Sequence, residues 1–331
     1  MQDDSVPLWS REAAYARLLR LQPTLPITFR SDPLFMESNS NDAWLIGDAV
    51  LRVCWRGDRA RFIREAHLVA ALPPSIPHAS LMDFGSYEDL TWTLHERVAG
   101  EVLSDVWLDL PPAVLRDVIA QFASILAALH AWSPPADVDL LLTDHARVTP
   151  HGIEAIVDAD IIPLPVPRLL ALVEAAKGLE HVDAAVIASI ANRVRELASA
   201  DPFATSWLHV VHGDAVFVNM IVHDGQIKAL LDFEWARKGP RDLELVSLIR
   251  MLEDARTLQG HEIPPVIQWL QEDYPQLFES PDLDRRLWLY ALAYTVRAIV
   301  FWPPDRPETE LFNVHQLHRL RRLSKAGMEW Y

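Results

Sequence analysis

His212-Gly213-Asp214-Ala215-Val216-Phe217-Val218-Asn219-Met220-Ile221-Val222, the turn His223-Asp224-Gly225-Gln226, and Ile227-Lys228-Ala229-Leu230-Leu231-Asp232-Phe233-Glu234-Trp235 form the stretch on which the fold turns. It reads as strand, loop, strand, turn, strand and acidic loop. Val210 and Val211 lead into a polar loop that carries Asp214. Residues 218–222 alternate as a half-buried strand does, Asp224-Gly225 is a hairpin turn signal, and residues 227–231 form the return strand. Asp232 sits at the end of that strand. Two carboxylates and one carboxamide, Asp214, Asn219 and Asp232, are thereby expected at the mouth of a hairpin.

Phosphoryl transfer requires such a set. One carboxylate accepts the proton of the attacking hydroxyl, while a carboxamide and a second carboxylate hold the magnesium ion that bridges the nucleotide phosphates. The spacing agrees with the kinase catalytic loop, whose Asp precedes its Asn by five residues, as Asp214 precedes Asn219. The alternative reading is an ordinary hairpin with turn-forming Asp and Asn.

On these residues the chain resembles the aminoglycoside phosphotransferase family of small-molecule kinases, whose fold is related to that of protein kinases. The resemblance implies an α+β, protein-kinase-like fold of two lobes with nucleotide between them. The small antiparallel-sheet lobe is expected over residues 1–98, and a larger helical lobe with the catalytic loop and acceptor site over residues 99–331. It further implies Asp214 as catalytic base, Asn219 and Asp232 as Mg2+ ligands, and ATP or GTP as co-substrate. Arg241-Asp242-Leu243 resembles the family's following Asp-Leu element, in which the Asp braces the catalytic loop. The loop has His-Gly-Asp where protein kinases have His-Arg-Asp, and no Ala-Pro-Glu follows Asp232.

Composition fits this reading. Half of the 331 residues are hydrophobic, enough for two cores. No apolar run looks long and uncharged enough to span a bilayer, and the acidic start lacks a signal-peptide pattern, so a cytoplasmic location without membrane attachment is expected. A single cysteine, Cys54, excludes an internal disulfide and reads as core. The formal net charge of −16 disfavours nucleic-acid binding and would steer a cationic substrate, although solubility explains it as well. Nothing in the sequence fixes the oligomeric state.

In the first lobe, Ser38-Asn39-Ser40 stand where many family members have a glycine-bearing phosphate loop. Arg52 takes the place of the strand lysine that holds the α- and β-phosphates, and arginine suits phosphate. Glu65 matches the helix glutamate that pairs with that cation; the alternative is a pair with Arg61, four residues earlier on the helix. Residues 95–100 resemble the inter-lobe linker whose backbone binds the adenine edge, with Glu96, Arg97 and Val98 as the choices. Asp83-Phe84-Gly85 spells the kinase metal motif but precedes Asp214, the wrong order, and reads as strand end.

A helix should begin at Pro111-Pro112 with an apolar stripe from Leu115 to Leu129, and His130 reads as a cap or core hydrogen bonder. Further helices are expected at 169–176, 184–197, 243–252, 283–301 and 315–325. Asp144, His145, His151, Glu154, Asp158 and Asp160 are polar groups in the region expected to bind the acceptor. An aminoglycoside-like cation would suit the acidic pairs Glu253-Asp254 and Glu272-Asp273, although these read more readily as solvated helix ends. A macrolide would want an apolar cleft, which the aromatics of 288–302 could line. Choline, homoserine and sugars are further acceptor classes. The rival class is a non-catalytic nucleotide-binding protein with a kinase-like fold.

Overall fold

The computed structural model describes residues 10–36, 41–55, 59–138, 140, 164–197, 209–257, 260–301 and 307–325. The chain divides into two compact units. One comprises residues 1–110, 134–140 and 217–236, and the other residues 111–133, 141–216 and 237–331.

The first unit is built on a five-stranded antiparallel sheet. Strands β1 (Leu34–Met36), β2 (Asp42–Ile46), β3 (Ala49–Cys54), β4 (Leu81–Tyr87) and β5 (Leu90–Glu96) lie in the order β1-β2-β3-β5-β4. Alternation sets the faces of β2 and β3: Trp44 and Ile46, then Ala49, Leu51 and Val53, go into the core. Gly47, at φ +60°, opens the two-residue turn that joins β2 to β3, where a side chain would be strained. Helix α1 (Arg11–Leu21) is capped by the Ser10 side chain, which accepts from the Ala13 N–H at 3.1 Å. From α1, Arg17 reaches Asp42 at the start of β2 with two hydrogen bonds of 2.6 and 2.8 Å. Helix α2 (Ala60–Ala71) buries Phe62, Glu65, Ala66, Leu68 and Val69. A carboxylate on that apolar stripe must find a partner inside.

A second sheet in this unit joins β6 (Glu101–Val102) to the hairpin of β8 (Met220–His223) and β9 (Gln226–Leu230). Gly100, at φ +141°, precedes β6, and a Cβ there would lie 2.4 Å from the Val222 carbonyl oxygen, so only glycine lets the chain pass. The expected strand at residues 218–222 begins later. Phe217–Asn219 is a single 3-10 turn and Val218 points outward, 54% exposed. Asp83-Phe84-Gly85 lies inside β4 and carries no metal-like grouping among the described residues.

The second unit is helical. Pro112 opens helix α4 (Pro112–Ala131; the short Leu103–Val106 helix of the first unit is α3), whose stripe of Leu115, Val118, Ile119, Phe122, Leu126 and Leu129 is buried. The expectation that no apolar run reaches bilayer-spanning length needs correction. By length and composition α4 does, alone among the described residues. Its stripe is filled by the core of its own unit, packing on Val266–Asp273 and on strand β7 (His209–Val211), which pairs antiparallel with β10 (Arg237–Gly239). Helices Val166–Ala176, Ala184–Leu197 and Leu283–Phe301 follow the sequence reading closely. Leu243–Thr257 runs a turn longer than expected, and the last helix starts earlier, at Pro307.

Candidate active site

Arg52 is the hub of the first unit. It stands on β3 with its guanidinium 4.6 Å over the Phe62 ring. Nη1 donates to Glu65 Oε1 at 2.6 Å, and Nη2 donates to Asp232 Oδ1 at 2.6 Å. The expected Arg52–Glu65 pair is therefore formed, and the alternative partner Arg61 instead faces Glu234, 3.2 Å away. Glu65 Oε1 also accepts the Phe233 N–H at 2.9 Å, which ties α2 to the backbone just after Asp232. Burial opposes the charge on Arg52, but Asp232, Glu65 and Glu234 outweigh it and hold its pKa above that of ordinary arginine.

Glu234, two residues after Asp232, carries no role in the sequence pattern. It is buried and accepts from the Asn41 carboxamide at 3.1 Å, while Arg61 Nη2 donates to Asn41 Oδ1 at 3.3 Å. Burial pushes the Glu234 carboxyl up to about 8, helped by the Asp232 charge and opposed by Arg61 and Arg52. Burial likewise raises Glu65, against the pull of Arg52. Two guanidiniums face three carboxylates here, an excess of one negative charge that a proton on Glu234 or a bound cation can balance.

Asn219 and Asp232 meet at the open end of the β8–β9 hairpin. Met220 pairs with Leu230, and the Leu231 N–H donates to the Asn219 carbonyl at 2.8 Å. Asp232 follows in the left-handed region at φ +62°, which aspartate tolerates better than most residues, and this bends the chain off the strand into the turn Phe233–Trp235. Glu65, Asp232 and Glu234 each offer an oxygen within 4.8 Å of the others. These donors are all hard oxygens, the kind magnesium takes, and the Asn219 carboxamide would add another of the same kind. The chemistry of the donor set fits the ion that the fold implies.

Of the nucleotide-facing residues read from the sequence, Ser38, Asn39 and Ser40 lie outside the described residues, as do Asp144, His145, His151, Glu154, Asp158 and Asp160. Glu96 ends β5, and its N–H donates to the Ser80 carbonyl at 2.9 Å. The Arg97 N–H donates to the Asp48 carbonyl, also at 2.9 Å. Those two N–H groups are spent. Val98 is the first residue of this segment whose backbone makes no hydrogen bond among the described residues.

In the second unit, His212, Gly213 and Asp214 form the loop after β7. The chain passes between units at 216–217, so Asp214 belongs to one and Asn219 and Asp232 to the other. The loop is held through its backbone. Glu244 Oε1 accepts the His212 N–H at 2.5 Å, Glu244 Oε2 accepts the Gly213 N–H at 3.0 Å, and the Tyr294 hydroxyl donates to the Gly213 carbonyl at 3.1 Å. The expectation that Asp242 braces this loop is corrected. Its buried carboxylate takes Arg286 at 2.5 and 3.1 Å and the Tyr290 hydroxyl at 3.4 Å. Glu244, two residues on, does the bracing. Burial opposes the Glu244 charge, but His130, His212 and the loop N–H prevail and its pKa falls. His130 is the core hydrogen bonder expected, with Nδ1 2.9 Å from the Tyr274 hydroxyl and Nε2 3.6 Å from Glu244 Oε1.

The acidic pairs read as a cation pocket are already matched. Asp254 pairs with Arg319, Glu253 with Arg322, and Glu272 and Asp273 both with Arg116. These carboxylates are ion-paired within the unit. Trp288 and Tyr290 are core residues, 1% and 0% exposed, so they line no open cleft.

Residues 34–289 match the model of the phosphotransferase enzyme family. No curated protein matches the chain. Among solved structures, the GDP and kanamycin complex of APH(2″)-IIIa is 16% identical, with a TM-score of 0.65 over 93% of this chain and 98% of that one. The GDP complex of wild-type aminoglycoside 2′-phosphotransferase-IIIa is 16% identical, with a TM-score of 0.64 over 94% and 98%. The apo form of a thermostable mutant of aminoglycoside phosphotransferase APH(4)-Ia is 19% identical, with a TM-score of 0.59 over 89% and 94%. At such identities the likeness shows the fold, which is the protein-kinase-like α+β fold expected.

Proposed function

The chain belongs to the phosphotransferase enzyme family and is a small-molecule kinase; on that premise we propose that it moves the γ-phosphate of ATP or GTP, with Mg2+, to a hydroxyl of a small acceptor in the cytoplasm. The observation that carries the proposal is the single guanidinium of Arg52 shared between Glu65 and Asp232. A strand cation fixed by a helix glutamate is what steadies the α- and β-phosphates in kinase chemistry, and the acidic residue it touches is the one assigned to the metal. Asn219 and Asp232 would hold the magnesium ion. When bound, that ion neutralises charge on the phosphates.

The chain's own groups have the remaining tasks. Arg52 orients the phosphates, Ser38, Asn39 and Ser40 cover them, and the extended segment from Glu96 to Val98 meets the base, with Val98 offering its unspent backbone groups. Asp214 accepts the proton of the acceptor hydroxyl. Residues 1–98 act as the nucleotide-binding lobe, and residues 99–331 supply the catalytic loop and acceptor site. Nucleotide use is supported by the GDP and ADP complexes among the neighbours. Those neighbours include kanamycin and hygromycin B complexes, but the matched acidic pairs here weigh toward another class of acceptor.

The test is a nucleotide-consumption screen of the purified chain with ATP and with GTP, with and without Mg2+, against aminoglycosides, macrolides, amino alcohols, sugars and hydroxy acids. Magnesium-dependent transfer to one acceptor class is expected. Nucleotide binding with no transfer to any of them would favour the non-catalytic alternative.

A further inference from the structure

Arg250 lies on the helix Leu243–Thr257, in the same unit as the Asp214 loop. Its guanidinium carbon sits 4.8 Å over the ring of Tyr294, whose hydroxyl donates to the Gly213 carbonyl. The arginine and the loop thus share one support. The other arginines nearby are matched, Arg319 by Asp254 and Arg322 by Glu253. Arg250 differs. Among the described residues no carboxylate lies within ion-pair distance of it, and its Nε has no hydrogen-bond partner. Its Nε is shut off from solvent, while the residue as a whole is partly exposed.

An unmatched buried cation is costly, and proteins normally pair it. Burial, then the charge of Arg319, brings the Arg250 pKa down to about 10; Tyr294, Asp254 and Asp214 pull the other way. At that value it is still charged at neutral pH. The nearest acidic influences, Asp254 and Asp214, stand outside ion-pair distance, the first being taken by Arg319. A planar fork of donors, fixed on an aromatic face, suits the two oxygens of a carboxylate or phosphate. The stacking on Tyr294 fixes the arginine before any ligand arrives, which lowers the cost of binding.

We propose that Arg250 recognises an anionic group, carboxylate or phosphate, on the hydroxylated acceptor. The assignment rests on the small-molecule kinase reading and narrows its substrate class. It also agrees with the matched state of the acidic pairs Glu253-Asp254 and Glu272-Asp273.

Binding to the full chain is measured by saturation-transfer NMR and calorimetry with gluconate, glycerol 3-phosphate, glucose and kanamycin, each without nucleotide. An anionic probe is expected to bind, and Arg250→Gln to weaken it about tenfold or more, as loss of a charge-assisted pair does. Arg250→Lys should restore part of the affinity, and nucleotide affinity should not change. The gluconate and glycerol 3-phosphate arms separate carboxylate from phosphate. Binding of neither anion, tighter binding of glucose or kanamycin, or equal anion affinity in Arg250→Gln would overturn the proposal. In a parallel assay with MgATP and MgGTP, Arg250→Gln should raise KM for the anionic acceptor more than it lowers kcat. A uniform loss of kcat with unchanged KM would assign Arg250 to loop support instead. Anion binding that depends on Arg250 but is never followed by phosphorylation would sink the kinase reading while leaving the anion site standing.

Discussion

Glu244 holds Gly213 by a carboxylate-to-backbone hydrogen bond of 3.0 Å, and with its other oxygen it holds the preceding N–H of His212. One buried side chain thereby fixes two consecutive peptide units directly before Asp214. His130 and Tyr274 back it up through a chain of buried polar contacts, and Tyr294 holds the carbonyl of the next peptide unit, Gly213–Asp214. Preorganisation of the proposed base is thus a property of the helix Leu243–Thr257 as much as of the loop.

Replacing Glu244 by Ala leaves two buried N–H groups without an acceptor. At about 1–3 kcal/mol for each unsatisfied group, the loss of stability should be about 2–6 kcal/mol, read by urea unfolding. Glu244→Gln keeps one acceptor oxygen and should recover about half. Because the loop, not the nucleotide contacts, is disturbed, kcat should fall while nucleotide affinity stays. An unchanged kcat in Glu244→Ala would show that the loop needs no such brace.

The Arg52 cluster carries a second prediction. Arg52→Gln removes the cation that two carboxylates share, one of them fully buried. Breaking such a pair costs about 3–5 kcal/mol, less here because Asp232 is partly open to solvent. Arg52→Lys keeps the charge but offers one point where the fork offers two, so nucleotide KM should rise about tenfold with a smaller loss of stability. Equal nucleotide affinity in wild type, Gln and Lys variants would remove Arg52 from the nucleotide site.

Legibility in the sequence follows the distance between partners. Asp214, Asn219 and Asp232 lie on one strand–turn–strand segment, so their spacing can be read directly. The Arg52–Glu65 pair is readable because Glu65 interrupts an apolar helical stripe a short way downstream. Glu234 and Asn41 are 193 residues apart, and no local period links them. The same holds for the acidic pairs. Arg116 meets Asp273 across 157 positions and Arg319 meets Asp254 across 65, so carboxylates that look free in the sequence are matched in the fold. Glu244 is not legible because its neighbour Asp242 fits the expected element, and only the hydrogen bonds tell the two apart. Val218 lies outside the strand, and alternation alone cannot distinguish a strand from one turn of 3-10 helix ahead of it.

Asp214 is assigned to proton acceptance, so Asp214→Asn should lower kcat by roughly the 10²–10⁴ of general-base catalysis. Nucleotide affinity should stay within a few-fold of wild type. The measurement is single-turnover transfer to the acceptor found in the screen, with nucleotide binding by calorimetry alongside. Wild-type turnover in Asp214→Asn would place the base elsewhere.

His95 supplies a test in the sheet unit that does not depend on the acceptor. It is buried on β5, with Nδ1 3.4 Å from the Ala79 carbonyl, and its pKa is lowered from 6.5 to about 4, first by burial and then by the charge of Arg52. The unfolded chain takes up a proton near pH 6.5, while the folded protein resists until about pH 4. Between those values the unfolded state binds more protons, so the contribution of His95 is complete above pH 6.5 and drains away as pH falls. The gap from 6.5 to about 4, at ~1.4 kcal/mol per pH unit, amounts to about 3 kcal/mol at most. Down to pH 5, before most carboxylates titrate, about 2 kcal/mol of it should be lost. His95→Gln keeps a polar group without the titration, so its unfolding free energy should fall less than the wild type's between pH 7.5 and pH 5. Curves that run parallel over that range would mean His95 is solvated or already charged in the folded protein, contrary to its place beside Arg52.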